Sequence, residues 1–316
     1  MFFVFDVESI PDTRLIGQVL ERPEVPEDEL LESASQELTK GGSTFFPPMF
    51  HQMVSWAGLW IEDNGKPVRE DAWSGSDEKQ GLQKLFDQMN TYKDFGLIHH
   101  NGRGFDLPLL TYRAMRHELQ MPVRLGQHAI RYRYSRENID LMDEFSNYGA
   151  SSYPKLKDLG HLMNIPFKKT AEGSEVYALF KRGELEQIQT YCHEDVIATY
   201  LVWLSFKFTT GEIAKTSYIN LKERALQKLK SLQELQDAGD AEVSGVTEVS
   251  EEAEEAEVSG EAELTGVTDE AGKAEKAEVT GVTDEDGKAE VTREAREAGE
   301  VGLSQQGVHS SDKGEL

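Results

Sequence analysis

The apolar residues that a folded core needs are confined to the part of this 316-residue chain that precedes residue 239. From Gly239 onward there is no Phe, Tyr, Trp, Met or Ile, and the only leucines are Leu264, Leu303 and Leu316. Such a segment buries too little apolar surface to offset the conformational entropy lost when it becomes ordered. We therefore expect residues 239–316 to form a disordered acidic tail.

Most of the acidity of the chain also belongs to this tail. Residues 240–316 carry 23 acidic and 6 basic residues, whereas the whole chain has 58 and 33. The net charge of −25 therefore says little about what the folded part binds. GVTDEAGKAE (266–275) returns as GVTDEDGKAE (281–290), but each copy offers only Val and Ala to bury, which favours disorder over a solenoid. A solubilising linker is preferred over an arm that docks a protein partner.

The chain carries features of a protein from a reducing compartment. Its single cysteine, Cys192, excludes an intramolecular disulfide. The sequence MFFVFDVESI lacks the basic region of a signal peptide, and no apolar run reaches the ~18–20 residues of a membrane-spanning helix. We expect a cytoplasmic protein with no membrane partner.

Hydrophobic patterning predicts a mixed α/β fold. Residues 2–8 are apolar on both faces of a strand, as in the centre of a covered sheet. Two strands at 53–63 and 67–75 flank the Asn64-Gly65 turn, which is a strong hairpin signal. Further strands are predicted at 96–101 and 137–145, and helices at 77–90, 106–119, 155–165, 184–208 and 221–236. Residues 11–50 are expected to be irregular apart from a helical patch at 26–40.

These patterns divide the chain into three parts. We expect one domain over residues 1–220, a C-terminal helix over 221–238 and the tail over 239–316.

Four carboxylates lie in apolar surroundings in three separated segments: Asp6, Glu8, Asp106 and Asp195. Asp6 and Glu8 are two apart on a strand and therefore point to the same face. Tyr191 and Asp195 are four apart on a predicted helix and lie side by side. Burying such carboxylates together is costly unless cations neutralise them. A pair of divalent metals is the usual solution, and phosphodiester hydrolysis is its usual chemistry. By itself, Asp106 also fits a helix N-cap.

Three short motifs occur in order along the chain: Asp6-Val7-Glu8, Asn101 with Phe105-Asp106, and Tyr191-x-x-x-Asp195. With them the chain resembles the 3′–5′ exonucleases of the DEDD superfamily in the tyrosine (DEDDy) form. Among these it is similar to the stand-alone exonucleases that resemble the proofreading domain of family-B DNA polymerases. The resemblance covers roughly residues 1–210. It implies a ribonuclease H-like fold, which is a mixed β-sheet flanked by helices.

The resemblance also implies a metal centre. The four carboxylates would hold two Mg²⁺ or Mn²⁺ ions roughly 3.5–4 Å apart, with Asp6 as the bridging ligand. Hard oxygen ligands suit these ions, and there is no Cys/His cluster that would indicate zinc. Tyr191 would orient the attacking water, so it joins the four acids as a catalytic residue. The product would be a nucleoside 5′-monophosphate.

Three further residues are candidates for contact with the terminal nucleotide. The resemblance places Asn101 near that nucleotide, and Phe105 either stacks on a base or belongs to the core. Ser9 either contacts the terminal sugar or is simply a turn residue.

Basic and aromatic residues alternate in RYRYSR (131–136), a combination that suits single-stranded nucleic acid. We favour Arg131 and Arg133 as substrate contacts over an ordinary solvated surface. Lys168 and Lys169 extend the basic character of the region.

Several polar residues near the motifs receive no catalytic role. His99, His100 and His193 are expected to be structural, hydrogen-bonded histidines. Asp140 and Asp143 are spare carboxylates outside the metal site.

The function predicted from these residues is a metal-dependent 3′–5′ exonuclease acting on single-stranded 3′ ends, with DNA favoured. An RNA-processing exoribonuclease of the same fold is the first alternative, because sugar discrimination depends on a few contacts to the 2′ position. A non-catalytic module that binds nucleic-acid ends is the second, but such a module has no need of a complete ligand set.

Overall fold

The computed structural model of the chain describes residues 1–40, 43, 45–166 and 173–234, without the side chains of 173 and 174. The predicted tail at 239–316, together with Lys168 and Lys169, lies outside these ranges.

Five strands form one mixed sheet in the order β3-β2-β1-β4-β5. Their bounds are β1 (Phe2–Pro11), β2 (His51–Ile61), β3 (Pro67–Ser74), β4 (Gly96–His99) and β5 (Asn138–Asp140). β2 runs antiparallel to β1 and β3, whereas β4 is parallel to β1 and β5. The central place of β1 follows from its two apolar faces, and the predicted hairpin is β2–β3.

The sheet is flanked by helices, as the predicted α/β class requires. Their bounds are α1 (Thr13–Val19), α2 (Glu27–Leu38), α3 (Glu78–Met89), α4 (Asp106–Arg116), α5 (Val123–Gly126), α6 (His128–Arg131), α7 (Leu141–Phe145), α8 (Leu156–Leu162), α9 (Gly173–Arg182) and α10 (Leu185–Thr209), and residues 215–234 form a helix here called α11. None of the described helices combines the length and apolar character that crossing a membrane requires.

Two local predictions are wrong, and side-chain capping explains both. Helix α1 occupies part of the segment expected to be irregular, because the Asp12 carboxylate accepts a hydrogen bond from the Leu15 amide at 2.9 Å and caps its first turn. The strand predicted over 137–145 ends at Asp140, whose carboxylate accepts from the Met142 amide at 3.1 Å and starts α7.

The C-terminal helix also differs from the prediction. It begins at residue 215 rather than 221, and its buried residues Ala225, Leu229 and Leu232 belong to the same core as the sheet. Cutting the chain at residue 220 would therefore expose apolar surface that this helix covers.

The sheet separates two apolar layers. Val4 faces a core built with α10 and α11, while Phe3 and Phe5 face a core built with α3 and α4. Because side chains alternate along a strand, Asp6 and Glu8 lie on the same side of β1 as Val4. That side is covered by α10.

A buried ionic network joins α4 to the far end of β1. Arg113 donates to Asp12 Oδ2 at 2.6 Å and to Glu78 Oε1 at 2.7 Å. Glu78 also accepts from the Met53 amide at 2.7 Å and contacts His117 Nε2 at 2.7 Å. Arg113 is therefore unavailable to a ligand, although it belongs to the arginine-rich part of the sequence.

Replacing Glu78 by Ala should destabilise the domain by about 3–5 kcal/mol, because the buried Arg113 charge would lose its main partner. Urea unfolding would measure this loss. Lys79→Ala, at the neighbouring exposed position on α3, should change the free energy of unfolding by less than about 0.5 kcal/mol. A loss at Glu78 no larger than the loss at Lys79 would contradict the structural importance of the network.

Candidate active site

One cavity of about 740 Å³ collects the predicted catalytic residues. It lies at the end of β1, between α4 and α10. All five of these residues line it: Asp6, Glu8, Asp106, Tyr191 and Asp195. Residues separated by almost the whole folded chain therefore share one solvent-accessible space.

Strand β1 positions the first two carboxylates, those of Asp6 and Glu8. Asp6 pairs with Ala57 of β2 and Glu8 pairs with Ser55. Immediately after Glu8 the register shifts, so that Ser9 pairs with Met53. Such a bulge increases local twist and re-aims neighbouring side chains. Both carboxylates are half-buried, which leaves their oxygens accessible from the cavity.

Helix α10 supplies the last two residues. Cys192, which is fully buried, contacts β1 directly: its Sγ lies 3.4 Å from the Asp6 carbonyl oxygen and 3.8 Å from Asp6 Oδ2. This contact fixes the position of the helix relative to β1. Tyr191 and Asp195, one turn apart, then both reach the cavity.

Asp106 is the first residue of α4, and Phe105 rather than Asp106 occupies the N-cap position. The N-cap reading of Asp106 is therefore wrong. Its carboxylate is 4% exposed and sits at the positive end of the helix dipole. A buried carboxylate in the first turn is thus partly stabilised by backbone amides before any ligand binds.

The loop that precedes Asp106 is tightly turned. Asn101 adopts φ +66°, a left-handed conformation that Asn tolerates better than most residues. A Cβ on Gly102 would lie 2.6 Å from the His99 ring, and one on Gly104 would lie 2.5 Å from Asn101 Oδ1. Glycine at both positions therefore allows the backbone to approach these side chains closely.

Two buried side chains hold this loop in place. Asp140 accepts hydrogen bonds from the Asn101 amide at 2.8 Å and the Arg103 amide at 3.1 Å. His99 Nδ1 accepts from the Gly102 amide at 3.1 Å, while its Nε2 donates to Asn138 Oδ1 at 2.6 Å. Burial lowers the pKa of His99, so the ring is neutral. Its structural role is confirmed, and Asp140 is a support of the loop.

The other two histidines are also hydrogen-bonded or ion-paired. His193 faces β3, where its Nε2 lies 3.4 Å from Glu70 Oε2 and helps to lower the pKa of Glu70 to about 2. His100 donates to the Pro154 carbonyl oxygen at 3.0 Å, although its side chain also lines the cavity.

Burial and neighbouring carboxylates together raise the pKa values of the acidic groups in the cavity. Burial raises the pKa of Asp6 to about 6. Burial first, and neighbouring carboxylates second, hold the pKa values of Glu8, Asp106 and Asp195 well above their usual range. Among residues 1–40, 45–166 and 175–234, no Lys, Arg or His lies within ion-pairing distance of these four groups. Within these ranges, the cavity thus lacks the positive charge that would balance the carboxylates.

The donor set indicates which cation would supply that charge. In the described part of the chain, Asp6, Glu8 and Cys192 form a group of potential ligands whose atoms all lie within 4.8 Å of one another. Burial raises the pKa of the Cys192 thiol well above its usual value, so it stays protonated and is a poor ligand. The remaining donors are hard carboxylate oxygens, which fit Mg²⁺ or Mn²⁺ better than zinc.

Tyr191 stays a neutral phenol. Burial, followed by the charge of Asp195, raises its pKa far above that of an exposed tyrosine. Its hydroxyl can therefore donate a hydrogen bond across the whole physiological pH range.

The predicted substrate contacts divide between two cavities. Ser9, Asn101 and Phe105 line the acidic cavity. Arg131 and Arg133 instead line a second cavity of about 780 Å³, which shares Asn101 with the first. The two arginines are therefore not in contact with the carboxylates.

Both arginines are partly engaged within the protein. Arg133 donates to Asp143 Oδ1 at 2.7 Å, and Arg131 Nε donates to the Leu125 carbonyl oxygen at 3.1 Å. Arg103, which sequence reasoning did not single out, lines the same cavity and lies 3.3 Å from Asp143 Oδ2. Asp143 is thus a partner of arginines.

Phe105 is placed so that either of its two predicted roles is possible. It packs against the core beneath the sheet, and it also lines the acidic cavity. Two aromatic residues beside it, Phe45 and His51, were not anticipated. No motif or periodicity distinguishes them, because they come close to the carboxylates only in the folded chain.

Hydrogen bonding defines the state of His51. Its Nε2 lies 3.2 Å from the Phe46 carbonyl oxygen, which can only accept, so Nε2 carries the proton. Burial lowers the pKa of His51 to about 4, so Nδ1 is unprotonated at neutral pH. The Ser9 hydroxyl, 3.1 Å away, therefore donates to Nδ1.

The raised pKa values predict how stability depends on pH without added metal. The folded state keeps a proton on Asp195 at pH values where the unfolded chain, with an Asp pKa of about 4, has lost it. The stability contributed by this group therefore falls as pH rises. We therefore compare the free energy of unfolding of Asp195→Asn with that of the wild type at each pH. The difference in favour of the variant should grow by at least about 1 kcal/mol from pH 5 to pH 8.

Urea unfolding in EDTA at the two pH values would measure this gain. Asp87→Asn, at an exposed position on α3, is the matched control and should show none. If the free energy of unfolding of Asp195→Asn changed with pH just as that of the wild type does, the site would not destabilise the metal-free fold.

Comparison with known proteins gives the family of the chain. A family model described as a predicted 3′–5′ exonuclease related to the exonuclease domain of PolB matches residues 43–240. The match begins after β1, so the geometry alone brings Asp6 and Glu8 into the site.

Two polymerases are also similar to the chain. A DNA polymerase of Archaeoglobus fulgidus is 24% identical over 133 residues, which are 40% of this chain and 17% of the polymerase. The solved structure of the family B DNA polymerase from the hyperthermophilic archaeon Pyrobaculum calidifontis aligns with a TM-score of 0.43 and 17% identity, over 71% of this chain and 27% of that one. The chain spans less than a third of either polymerase. Because the family model covers more than half of the sequence, the chain belongs to the predicted 3′–5′ exonucleases related to the exonuclease domain of PolB.

Proposed function

We propose that the protein is a metal-dependent 3′–5′ exonuclease that removes nucleotides from the 3′ end of single-stranded nucleic acid, with DNA favoured. The products are nucleoside 5′-monophosphates. One observation carries the proposal: four carboxylates and a neutral tyrosine converge in a single cavity that lacks a balancing cation in the described part of the chain. This set matches the tyrosine (DEDDy) form of a ribonuclease H-like exonuclease.

The proposal assigns the metal centre to the four carboxylates. Asp6, Glu8, Asp106 and Asp195 would hold two Mg²⁺ or Mn²⁺ ions. When bound, such ions stabilise the charge that develops on the phosphate and lower the pKa of water. The carboxylates lose their remaining protons as the ions bind, so affinity should rise with pH.

The chain itself supplies orientation. The Tyr191 hydroxyl donates a hydrogen bond that holds the attacking water, and its raised pKa keeps the proton on the oxygen. Asn101 and Ser9, which line the same cavity, position the terminal nucleotide. A histidine base has no part in this scheme, since the two histidines that line the cavity are hydrogen-bonded within the protein, His51 to Phe46 and Ser9, and His100 to Pro154.

The second cavity is assigned to the rest of the strand. It meets the acidic cavity at Asn101 and is lined by Arg103, Arg131 and Arg133. Tyr132 and Tyr134 beside it are 48% and 57% exposed. Cationic groups that follow phosphates and rings that stack on bases are the features by which proteins hold single strands.

Digestion of 5′-labelled single-stranded oligonucleotides tests the assignment directly. With Mg²⁺ or Mn²⁺ the wild-type chain should produce a ladder that shortens from the 3′ end, and EDTA should abolish it. Asp6→Ala should lower the activity at least about 10³-fold, since it deletes one of the proposed metal ligands. Thermal unfolding should show that this variant still folds.

DNA and RNA oligonucleotides of one sequence distinguish the alternatives. Faster shortening of RNA would identify an exoribonuclease. Binding of 3′ ends without cleavage, or cleavage that survives Asp6→Ala, would identify an end-binding module or a contaminant and overturn the proposal.

The double variant Arg131→Gln, Arg133→Gln tests the second cavity. We expect KM to rise with little change in kcat, because the change removes binding and leaves the carboxylates intact. The slope of log KM against log salt should flatten by about 0.7 for each lost phosphate contact. Lys79→Gln with Lys84→Gln, exposed on α3 and outside both cavities, is the control of equal charge. Equal behaviour of the two double variants would remove the arginines from the substrate path.

A further inference from the structure

One carboxylate that lines the second cavity has no role in the proposed mechanism. Asp143 is 8% exposed and belongs to α7, and it lines this cavity together with Arg103 and Arg133. Its Oδ1 accepts a hydrogen bond from Arg133 at 2.7 Å, while its Oδ2 lies 3.3 Å from Arg103 Nε. One buried side chain therefore pairs with two arginines of the region assigned to the strand.

The two arginines are held to different degrees. The Arg103 side chain is only 16% exposed, and it also donates to the Asn138 carbonyl oxygen. The Arg133 side chain is 49% exposed. Ion pairs that are open to solvent contribute little to stability, so a change of partner at Arg133 costs little free energy. Arg133 can therefore leave Asp143 for another anion, whereas Arg103 stays in place.

The sharing of Asp143 between two arginines makes such an exchange possible. A buried carboxylate that loses its only partner is strongly destabilising. If Arg133 turned to a phosphate, Oδ2 of Asp143 would still face Arg103, so the carboxylate charge would keep a partner. The Asp143 backbone is fixed separately, because its carbonyl oxygen accepts from the Tyr148 amide at 2.7 Å and from Ser146 Oγ at 3.1 Å.

Asp143 also lowers the positive charge that a strand would meet. Among the described residues that line this cavity, the charged side chains are three arginines and two aspartates, which give a formal net charge of +1. Asp140 is bonded to backbone amides, whereas Asp143 is paired with guanidinium groups. A carboxylate and a phosphate present similar oxygen acceptors to a guanidinium. Asp143 thus occupies the position on Arg133 that a phosphate of the strand would take.

We propose that Asp143 competes with the phosphates of the bound strand for Arg133 and so limits the affinity of the second cavity. The inference rests on the proposed exonuclease function, because it concerns how the substrate of that enzyme is held. An exonuclease that removes one nucleotide at a time must let the strand advance after each cleavage. With Asp143 as its partner inside the protein, Arg133 can release one phosphate before it pairs with the next.

Binding of a 5′-fluorescein-labelled oligothymidylate, followed by fluorescence anisotropy in EDTA, tests the competition without requiring cleavage. Asp143→Asn keeps the shape of the side chain and removes its charge, so Kd should fall at least about threefold at low salt. Asp87→Asn, exposed on α3 and outside both cavities, makes the same change in net charge and should leave Kd unchanged. An equal fall in both variants, or no fall in a folded Asp143→Asn protein, overturns the inference.

A double-mutant cycle shows whether the gain in affinity acts through Arg133. In the Arg133→Gln background, Asp143→Asn should change Kd by less than about 1.5-fold, because the cation for which the two anions compete is absent. A gain that persists in full in this background would mean that Asp143 acts only through the overall charge of the cavity, and the inference would be wrong.

A measurement on the wild type does not depend on the folding of any variant. The ¹³C signal of the Asp143 carboxylate should shift when the oligonucleotide is added in EDTA, because Arg133 exchanges its partner. No shift at saturating oligonucleotide, or no binding in EDTA, overturns the inference. A wild type that binds the oligonucleotide but does not cleave it with Mg²⁺ or Mn²⁺ overturns the exonuclease proposal and leaves the competition at Arg133 intact.

Discussion

The burial of four carboxylates in one cavity is the constraint on which the rest of this structure depends. Two unit charges 4 Å apart repel by about 4 kcal/mol at an effective dielectric constant of 20, so several such pairs oppose a large part of a domain's stability. Partial protonation reduces this unfavourable energy, as the raised pKa values of Asp6 and its neighbours indicate. The packing that holds β1, α4 and α10 together must offset the rest of this unfavourable electrostatic energy.

Each of these three elements is held by a different kind of contact. Helix α10 is anchored by apolar packing, with Val196 and Leu201 buried against the sheet and Cys192 against the β1 backbone. Helix α4 is anchored by ions, through Arg113 and Glu78. The loop before α4 is anchored by hydrogen bonds from backbone amides to Asp140 and His99. Because the anchors are separate, loss of one does not directly release the other two.

The sequence predicts the parts of this arrangement that local pattern controls. The two apolar faces of residues 2–8, the Asn-Gly hairpin and the spacing of Tyr191 and Asp195 all lead to elements found in the fold. Local pattern does not reveal partners distant in the chain. Arg113 looks like a surface arginine until Asp12, about a hundred positions earlier, is brought to it. Phe45, and His51 at the start of β2, likewise come to the cavity only in the folded chain.

Boundaries set by single side chains are also difficult to predict. The strand at Asn138 becomes a helix at Leu141 because one carboxylate, that of Asp140, accepts amides from two different segments. The apolar pattern of 137–145 is compatible with either structure. Here the side chain of Asp140, bonded to Met142 within α7 and to Asn101 in the loop before α4, marks where the strand ends.

The hydrogen bonds around His51 fix which groups donate and which accept: His51 donates to Phe46, and Ser9 donates to His51. Since the Phe46 carbonyl oxygen takes the proton of Nε2, and Nδ1 takes the hydroxyl hydrogen of Ser9, the Ser9 oxygen faces the cavity with lone pairs only. A group that binds there must bring its own hydrogen. A sugar hydroxyl meets that condition, whereas a terminal phosphate dianion would place oxygen against oxygen beside Glu8. The orientation of one hydroxyl thus limits which groups in the cavity can form a hydrogen bond with the Ser9 oxygen.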